Sequence, residues 1–261
     1  MDNTLHYEKH GNGRKNLIIF HGFGQTNKTM LSWLDSVKSN FTIYNFDLYY
    51  HGKSIRANTP LSTKQWKLAF GAFLTREQIN HFSIAAFSLG GRFALATYDA
   101  FCDRVESMIL VAPDGIFQNT WFRIATSPIT NPLFKYLMLH PTQFNSLLNL
   151  IEKLGLASSQ IVRFAQKELS ARDNRKRVYQ SWTYFKPLQP DLTFIIKTAN
   201  TLHTPFHFIL GSKDYIVPIS KIKPKMTRAH TAKFHILPLK HHQLIEGAKT
   251  LIPSLLEGDI L

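Results

Sequence analysis

Apolar residues fall along this chain in short, mostly apolar blocks more often than in strict alternation. Asn16-Leu-Ile-Ile-Phe20, Phe41 to Phe46, Phe82 to Phe87, Val105 to Ala112 and Pro205 to Leu210 are such blocks, and Ala232 to Leu237 is a further short strand. A strand covered on both faces by helices has this appearance, because neither side of its pleat meets water. Between the blocks the spacing turns helical: Trp66, Leu68, Phe70, Phe73 and Leu74 recur within Thr63 to Ile79, and Phe93, Leu95, Ala96 and Tyr98 follow Gly90-Gly91. A closing helix is expected through Leu244 to Leu256, and an edge strand at Thr4 to Tyr7 before a turn at Gly11-Asn-Gly13. Strands alternating with helices predict a mainly parallel, doubly wound α/β sheet.

The alternation stops at Ile116 and resumes near Pro190. This interval holds no strand pattern, but it has helical segments at Pro132 to Leu139, Thr142 to Leu154, Ser159 to Ser170 and Asn174 to Phe185, punctuated by Pro128, Pro132, Pro141 and Pro187. The expected organisation is an α/β core, residues 1–115 and 191–261, interrupted by a helical lid, residues 116–190.

Composition narrows the classes. At 261 residues and 30.0 kDa, with 44% hydrophobic residues, the chain suits one α/β domain with an insertion. Its single cysteine, Cys102, excludes an internal disulfide framework, and the twelve histidines show no metal-ligand spacing, so neither metal nor organic cofactor is expected. The formal charge of +14 is spread along the chain without a nucleic-acid recognition motif, which argues for a solvated basic face and against a nucleic-acid partner. With no apolar run of membrane-spanning length and no leader-like N-terminus, a cytoplasmic protein acting on a small molecule is expected.

One serine lies where the pattern changes character. Phe82 to Phe87 is a strand, Gly90 and Gly91 open a helix, and Ser88 stands at the bend within Ala86-Phe-Ser-Leu-Gly90. A strand bent sharply into a helix needs small residues around the turn and lifts the serine hydroxyl clear of the sheet as an exposed nucleophile. Polar groups follow other strands: Asp114 after Val105 to Ala112, Asp214 after Pro205 to Leu210, and His241-His242 after Ala232 to Leu237. The carboxyl ends of parallel strands share one crevice, so these groups can converge although distant in sequence. A serine hydroxyl is a weak nucleophile at neutral pH; a histidine that takes its proton and a carboxylate that orients the histidine make acyl transfer feasible. His21-Gly-Phe-Gly24 follows a buried strand, and its backbone amides can receive a developing oxyanion. Asp47, His51 and Ser54 occupy a turn-rich loop and are expected to brace it.

These five motifs, His21 to Gly24, Asp47 to Ser54, Ala86 to Gly91, Asp214 to Pro218 and His241 to Glu246, together resemble the α/β-hydrolase superfamily, in the lidded branch of esterases, C–C bond hydrolases and related lyases. The resemblance covers nearly the whole chain. It implies Ser88 as nucleophile, His241 as base, five residues before Glu246, with His242 as the alternative, and Asp214 as the orienting acid, with Asp114 as the alternative. It implies an oxyanion hole at the amides of Phe23 and Leu89, and a carboxylic-ester substrate that is small and apolar or aromatic. Departures are Ala86 and Tyr50, where relatives often have glycine, and Lys240 before the histidine. Ser88-Leu-Gly-Gly-Arg92 also resembles a menaquinone-pathway synthase, a lyase acting on an anionic substrate. That similarity places Arg92 in the substrate site, and Arg123 in the lid would add a further cation for such a substrate; the lid's aromatic residues, Trp182 among them, separately suggest an apolar or aromatic-lined cleft. A third alternative is a hydrolase-like protein that binds a small molecule without turnover.

Overall fold

A computed structural model of the chain describes residues 3–35, 37–118 and 120–258. The ends of the expected core, residues 1, 2 and 259–261, lie outside the described residues. Seven strands, β1 (Tyr7–His10), β2 (Lys15–Phe20), β3 (Phe41–Phe46), β4 (Phe82–Phe87), β5 (Val105–Val111), β6 (Phe206–Gly211) and β7 (Ala232–Leu237), form one sheet. Their order is β1-β3-β2-β4-β5-β6-β7, and every pairing except β1 with β3 is parallel. This is the mostly parallel sheet with flanking helices of an α/β-hydrolase fold.

Every residue of β4 and β6 is buried, which is why both read as continuous apolar blocks. At the edge the pattern misleads. Thr4 makes an isolated bridge to Ile55, whereas pairing with β3 runs from Tyr7↔Phe46 to His10↔Ile43. The expected strand at Thr4 to Tyr7 is therefore displaced toward the turn. Tyr7, whose ring lies 5.0–5.8 Å from those of Tyr44, Phe46 and Phe73, anchors it there, while Glu8 and Lys9 hide the alternation.

The helices of the core are α1 (Leu31–Leu34), α2 (Thr63–Arg76), α3 (Leu89–Phe101), and, beyond the helical interval, α9 (Leu192–Leu202), α10 (Ile219–Met226), α11 (Leu244–Ala248) and α12 (Ile252–Glu257). Helix α2 starts at a capping box in which the Ser62 hydroxyl accepts from the Gln65 amide and the Gln65 side chain accepts from the Ser62 amide. Its Trp66 packs on Phe20, Phe70 and Phe93 and donates to Thr97 Oγ1 at 3.0 Å, joining α2 and α3 to the sheet. The single closing helix expected through Leu244 to Leu256 is two, because Pro253 has no N–H and fits the first turn of a new helix.

The chain divides into two compact units. One comprises the residues to Ala57, Leu61–Phe117 and those from Pro187 onward, and carries the sheet; the other comprises Asn58–Pro60 and Gln118–Lys186. The second unit is built of α4 (Thr120–Ala125), α5 (Asn131–Leu139), α6 (Pro141–Lys153), α7 (Ser159–Glu168) and α8 (Arg172–Tyr184). Trp182 of α8 stacks on Phe134 of α5 at 5.6 Å and meets Phe122 of α4 edge-on at 5.7 Å. Buried Arg175 donates to the carbonyls of Met138, Leu169 and Ser170, satisfying backbone acceptors at helix ends. Helix α6 buries none of its residues.

Candidate active site

Ser88 leaves β4 with φ 50° and ψ −114°, a conformation that side-chain-bearing residues rarely adopt. Surrounding backbone over-determines it. The Ser88 amide donates to Val111 O at 3.0 Å, and its carbonyl accepts from both Gly91 N and Asp114 N at 2.8 Å. A Cβ at Gly90 would stand 2.4 Å from Phe20 O, and one at Gly91 would stand 2.5 Å from Pro113 Cβ, so both glycines are required by close approach. The half-buried serine thus sits at the amino end of α3 with its hydroxyl off the sheet.

Asp214 follows β6, and its buried carboxylate is held from two sides. Oδ1 accepts from the amides of Ile216 at 2.8 Å and Val217 at 3.0 Å, and Oδ2 lies 2.7 Å from His241 Nδ1. The other imidazole nitrogen, Nε2, is 3.0 Å from Ser88 Oγ. A carboxylate only accepts, so the proton of the neutral ring belongs on Nδ1, leaving Nε2 to accept from the serine hydroxyl. The Phe87 ring packs against His241 at 5.0 Å, and a Cβ at Gly211 would stand 2.4 Å from Leu239 O, so glycine lets the strand β6 and the histidine loop approach. This arrangement can move a proton from an attacking hydroxyl and hold the charge that results.

The two expected oxyanion donors lie at the same end of adjacent strands: β2 and β4 pair at Phe20↔Ala86, and Phe23 and Leu89 each stand three residues beyond that pair. Among the described residues neither the Phe23 nor the Leu89 amide has an intramolecular acceptor.

An alpha/beta hydrolase family model matches residues 17–248, nearly the whole span from β2 to α11. This chain belongs to the alpha/beta hydrolase family. An esterase from Thermogutta terrifontis superposes with a TM-score of 0.70 over 98% of this chain and 94% of its own, at 13% identity. An enol-lactonase from Burkholderia xenovorans gives 0.68 over 98% and 96%, at 14% identity. At such identities the likeness is one of fold. An uncharacterized protein of Mycobacterium tuberculosis is 26% identical over 125 residues, 47% of this chain, and the match spans 37% of that protein's length.

The other sequence-predicted residues of this family member fall in different surroundings. His242 is exposed and meets the His241 ring edge-on; His241 is the one that faces Ser88. Asp114, the alternative acid, accepts from the Gly115 amide and from Arg92. Arg92 is buried, with Nε 2.9 Å from Asp114 Oδ2 and Nη2 3.2 Å from Oδ1, and so ties the elbow helix to the loop after β5. Arg123 is exposed on α4, and Trp182 is engaged with Phe122 and Phe134 inside the helical unit. Tyr50 has φ 65°, which explains why glycine suits that position; its hydroxyl donates to Ala57 O at 2.9 Å. Gln25, whose side-chain oxygen accepts from the Gly22 amide at 2.9 Å, carries no sequence expectation, and the expected bracing by His51 extends further than its own loop: the buried rings of His21 and His51 join the loops after β2 and β3. The glycine on either side of Phe23 was the available signal that this loop is tightly held.

No helix of the described residues is long and apolar enough to cross a membrane, and no group of three or more His, Cys, Asp or Glu side chains among them is placed to hold a metal ion.

Proposed function

We propose that this protein is a serine hydrolase that cleaves a carboxylic ester of a small apolar or aromatic substrate through an acyl-enzyme. The observation that carries the reading is His241, with one nitrogen on Asp214 and the other on Ser88. Ser88 Oγ attacks the ester carbonyl carbon while His241 Nε2 takes its proton, and Asp214 steadies the imidazolium. The amides of Phe23 and Leu89 hold the oxyanion of the tetrahedral intermediate, each such donor lowering the barrier by about 3 kcal/mol. Collapse expels the alcohol, which receives the proton from His241. Water, deprotonated in turn by His241, then attacks the acyl carbon and releases the acid with Ser88 restored.

The helical unit acts as the lid that selects the substrate, and the family's solved esterase and enol-lactonase fit an ester or lactone specificity. The engagement of buried Arg92 by Asp114 supports the ester reading over elimination from an anionic substrate. The test is labelling with a fluorophosphonate, followed by peptide mass spectrometry. A single adduct on Ser88, lost in His241→Ala, is expected; a folded protein that takes no label, or takes it elsewhere, refutes the reading.

A further inference from the structure

Two buried histidines outside the proposed triad join the loop after β2 to the loop after β3, and they do so reciprocally. His21, on the first loop, accepts from the Leu48 amide of the second through Nε2 at 3.0 Å. His51, on the second, accepts from the Gly24 amide of the first through Nε2 at 3.1 Å. Each Nδ1 faces a backbone carbonyl, that of Gly22 at 2.6 Å for His21 and that of Tyr49 at 2.9 Å for His51. A backbone N–H only donates and a carbonyl only accepts, so both rings are held neutral as the Nδ1–H tautomer. The rings lie 5.3 Å apart, at 0% and 1% exposure.

Between the two anchored positions stands Phe23. Gly22 is fixed by the His21 ring on its carbonyl and by Gln25 on its amide, while Gly24 is fixed through its amide by His51. The Phe23 ring meets the His51 ring edge-on at 5.5 Å. The second loop is itself pinned, with Asp47 accepting from Asn27 N at 2.8 Å and Lys53 N at 2.9 Å, and Ser54 donating to Asp47 O at 2.6 Å.

We infer that His21 and His51 are positioning residues that hold the Phe23 amide as an oxyanion donor, a role that rests on the serine-hydrolase reading. An oxyanion donor acts by pre-organisation: it must already point where charge develops, since a donor that reorients during reaction gives back much of its effect. Two tautomer-locked rings supply that rigidity to a loop containing Gly24 at φ 74°. Loop bracing is thereby a contribution to rate as well as to stability.

The test uses the full chain with p-nitrophenyl acetate as substrate and an aryl trifluoromethyl ketone as a tetrahedral-adduct probe. His51→Ala is expected to lower kcat roughly 10- to 100-fold with KM little changed, a fraction of the effect of deleting a donor outright. The ketone's Ki should rise in proportion to the fall in kcat/KM. His51→Gln keeps an acceptor near the Nε2 position and should recover most of kcat, whereas His51→Asn, too short to reach Gly24, should not; this pair decides the matter even if the alanine variant unfolds. Equal kcat in the Gln and Asn variants, or a ketone Ki that does not follow kcat/KM, overturns the proposal while leaving the hydrolase reading standing. Wild-type protein that gives no turnover, or turnover unchanged by Ser88→Ala, overturns both.

Discussion

The sheet unit and the helical unit solve the same problem of burying apolar surface with very different thoroughness. In β4 and β6 every residue is buried, and the sheet unit's Trp33, Trp66, Phe20, Phe46, Phe70 and Phe93 are sealed from solvent. In the helical unit α6 buries nothing, α7 buries Val162 alone, and Ile129, Leu133, Leu139, Leu154 and Leu156 are more than half exposed. The difference teaches where positional accuracy is required. Ser88 and Asp214 follow the two fully buried strands, whose neighbours leave no freedom to shift, while the helical unit is held by a smaller set of contacts, chiefly the aromatic cluster around Trp182 and the carbonyls gathered by Arg175.

The contrast can be broken most forcefully at Trp66. Replacing it by alanine removes stacking on Phe70, edge contacts to Phe20 and Phe93 and the Thr97 hydrogen bond, and should cost about 3–5 kcal/mol in urea unfolding. A loss below 1 kcal/mol would mean that the core repacks and is not the rigid part.

Acid probes the sheet unit by another route. Burial, with His235 and Lys233 nearby, lowers the His207 pKa to about 4, and His207 Nδ1 lies 3.3 Å from His235 Nε2. His207 is neutral in the fold but protonated in the unfolded chain below its ordinary pKa near 6.5, so the unfolded state binds more protons and stability falls with pH. The decline should approach ~1.4 kcal/mol per pH unit between pH 6.5 and about 4, and level off below. His235, also lowered by burial, acts in the same direction. Comparing urea midpoints of the wild type and His207→Phe at pH 7.5 and 5.5 checks this; parallel losses in the two proteins would remove His207 from the account.

The smallest effect belongs to the helical unit. Leu150→Ala on exposed α6 should change stability by less than about 0.5 kcal/mol, and a larger loss would show that this helix has a partner that its burial does not reveal.

What could be read from residues alone follows the same division. The strands of the sheet interior were legible because two-sided burial writes itself as an apolar block, and the elbow because Gly90 and Gly91 answer to clashes that no side chain survives. The order of Ser88, Asp214 and His241 was visible, and the resemblance already assigned Asp214 to His241; the carboxylate that Arg92 meets was not, because only packing puts Arg92 on Asp114. Helix α9 escaped notice because Phe194 and Leu202 are exposed and blur its apolar stripe, and α10 because Pro224 within it reads as a breaker. The loop bridge through His21 and His51 left no periodic trace at all, since it depends on ring-to-amide distances across residues that are far apart in the chain.

Strands β5 and β6 lie side by side, with Val111 opposite Ile209, although the helical unit and α9 intervene in the chain. Closing a long loop costs configurational entropy that grows only as the logarithm of its length, about 0.6 kcal/mol for each doubling. The seam between these strands is therefore thermodynamically permissive: the connecting polypeptide can be lengthened, trimmed or exchanged for less than one buried side chain is worth. Under the proposed function, changes in what the protein accepts can accumulate there, in a segment whose size the sheet scarcely registers, while Ser88, Asp214 and His241 keep their separations.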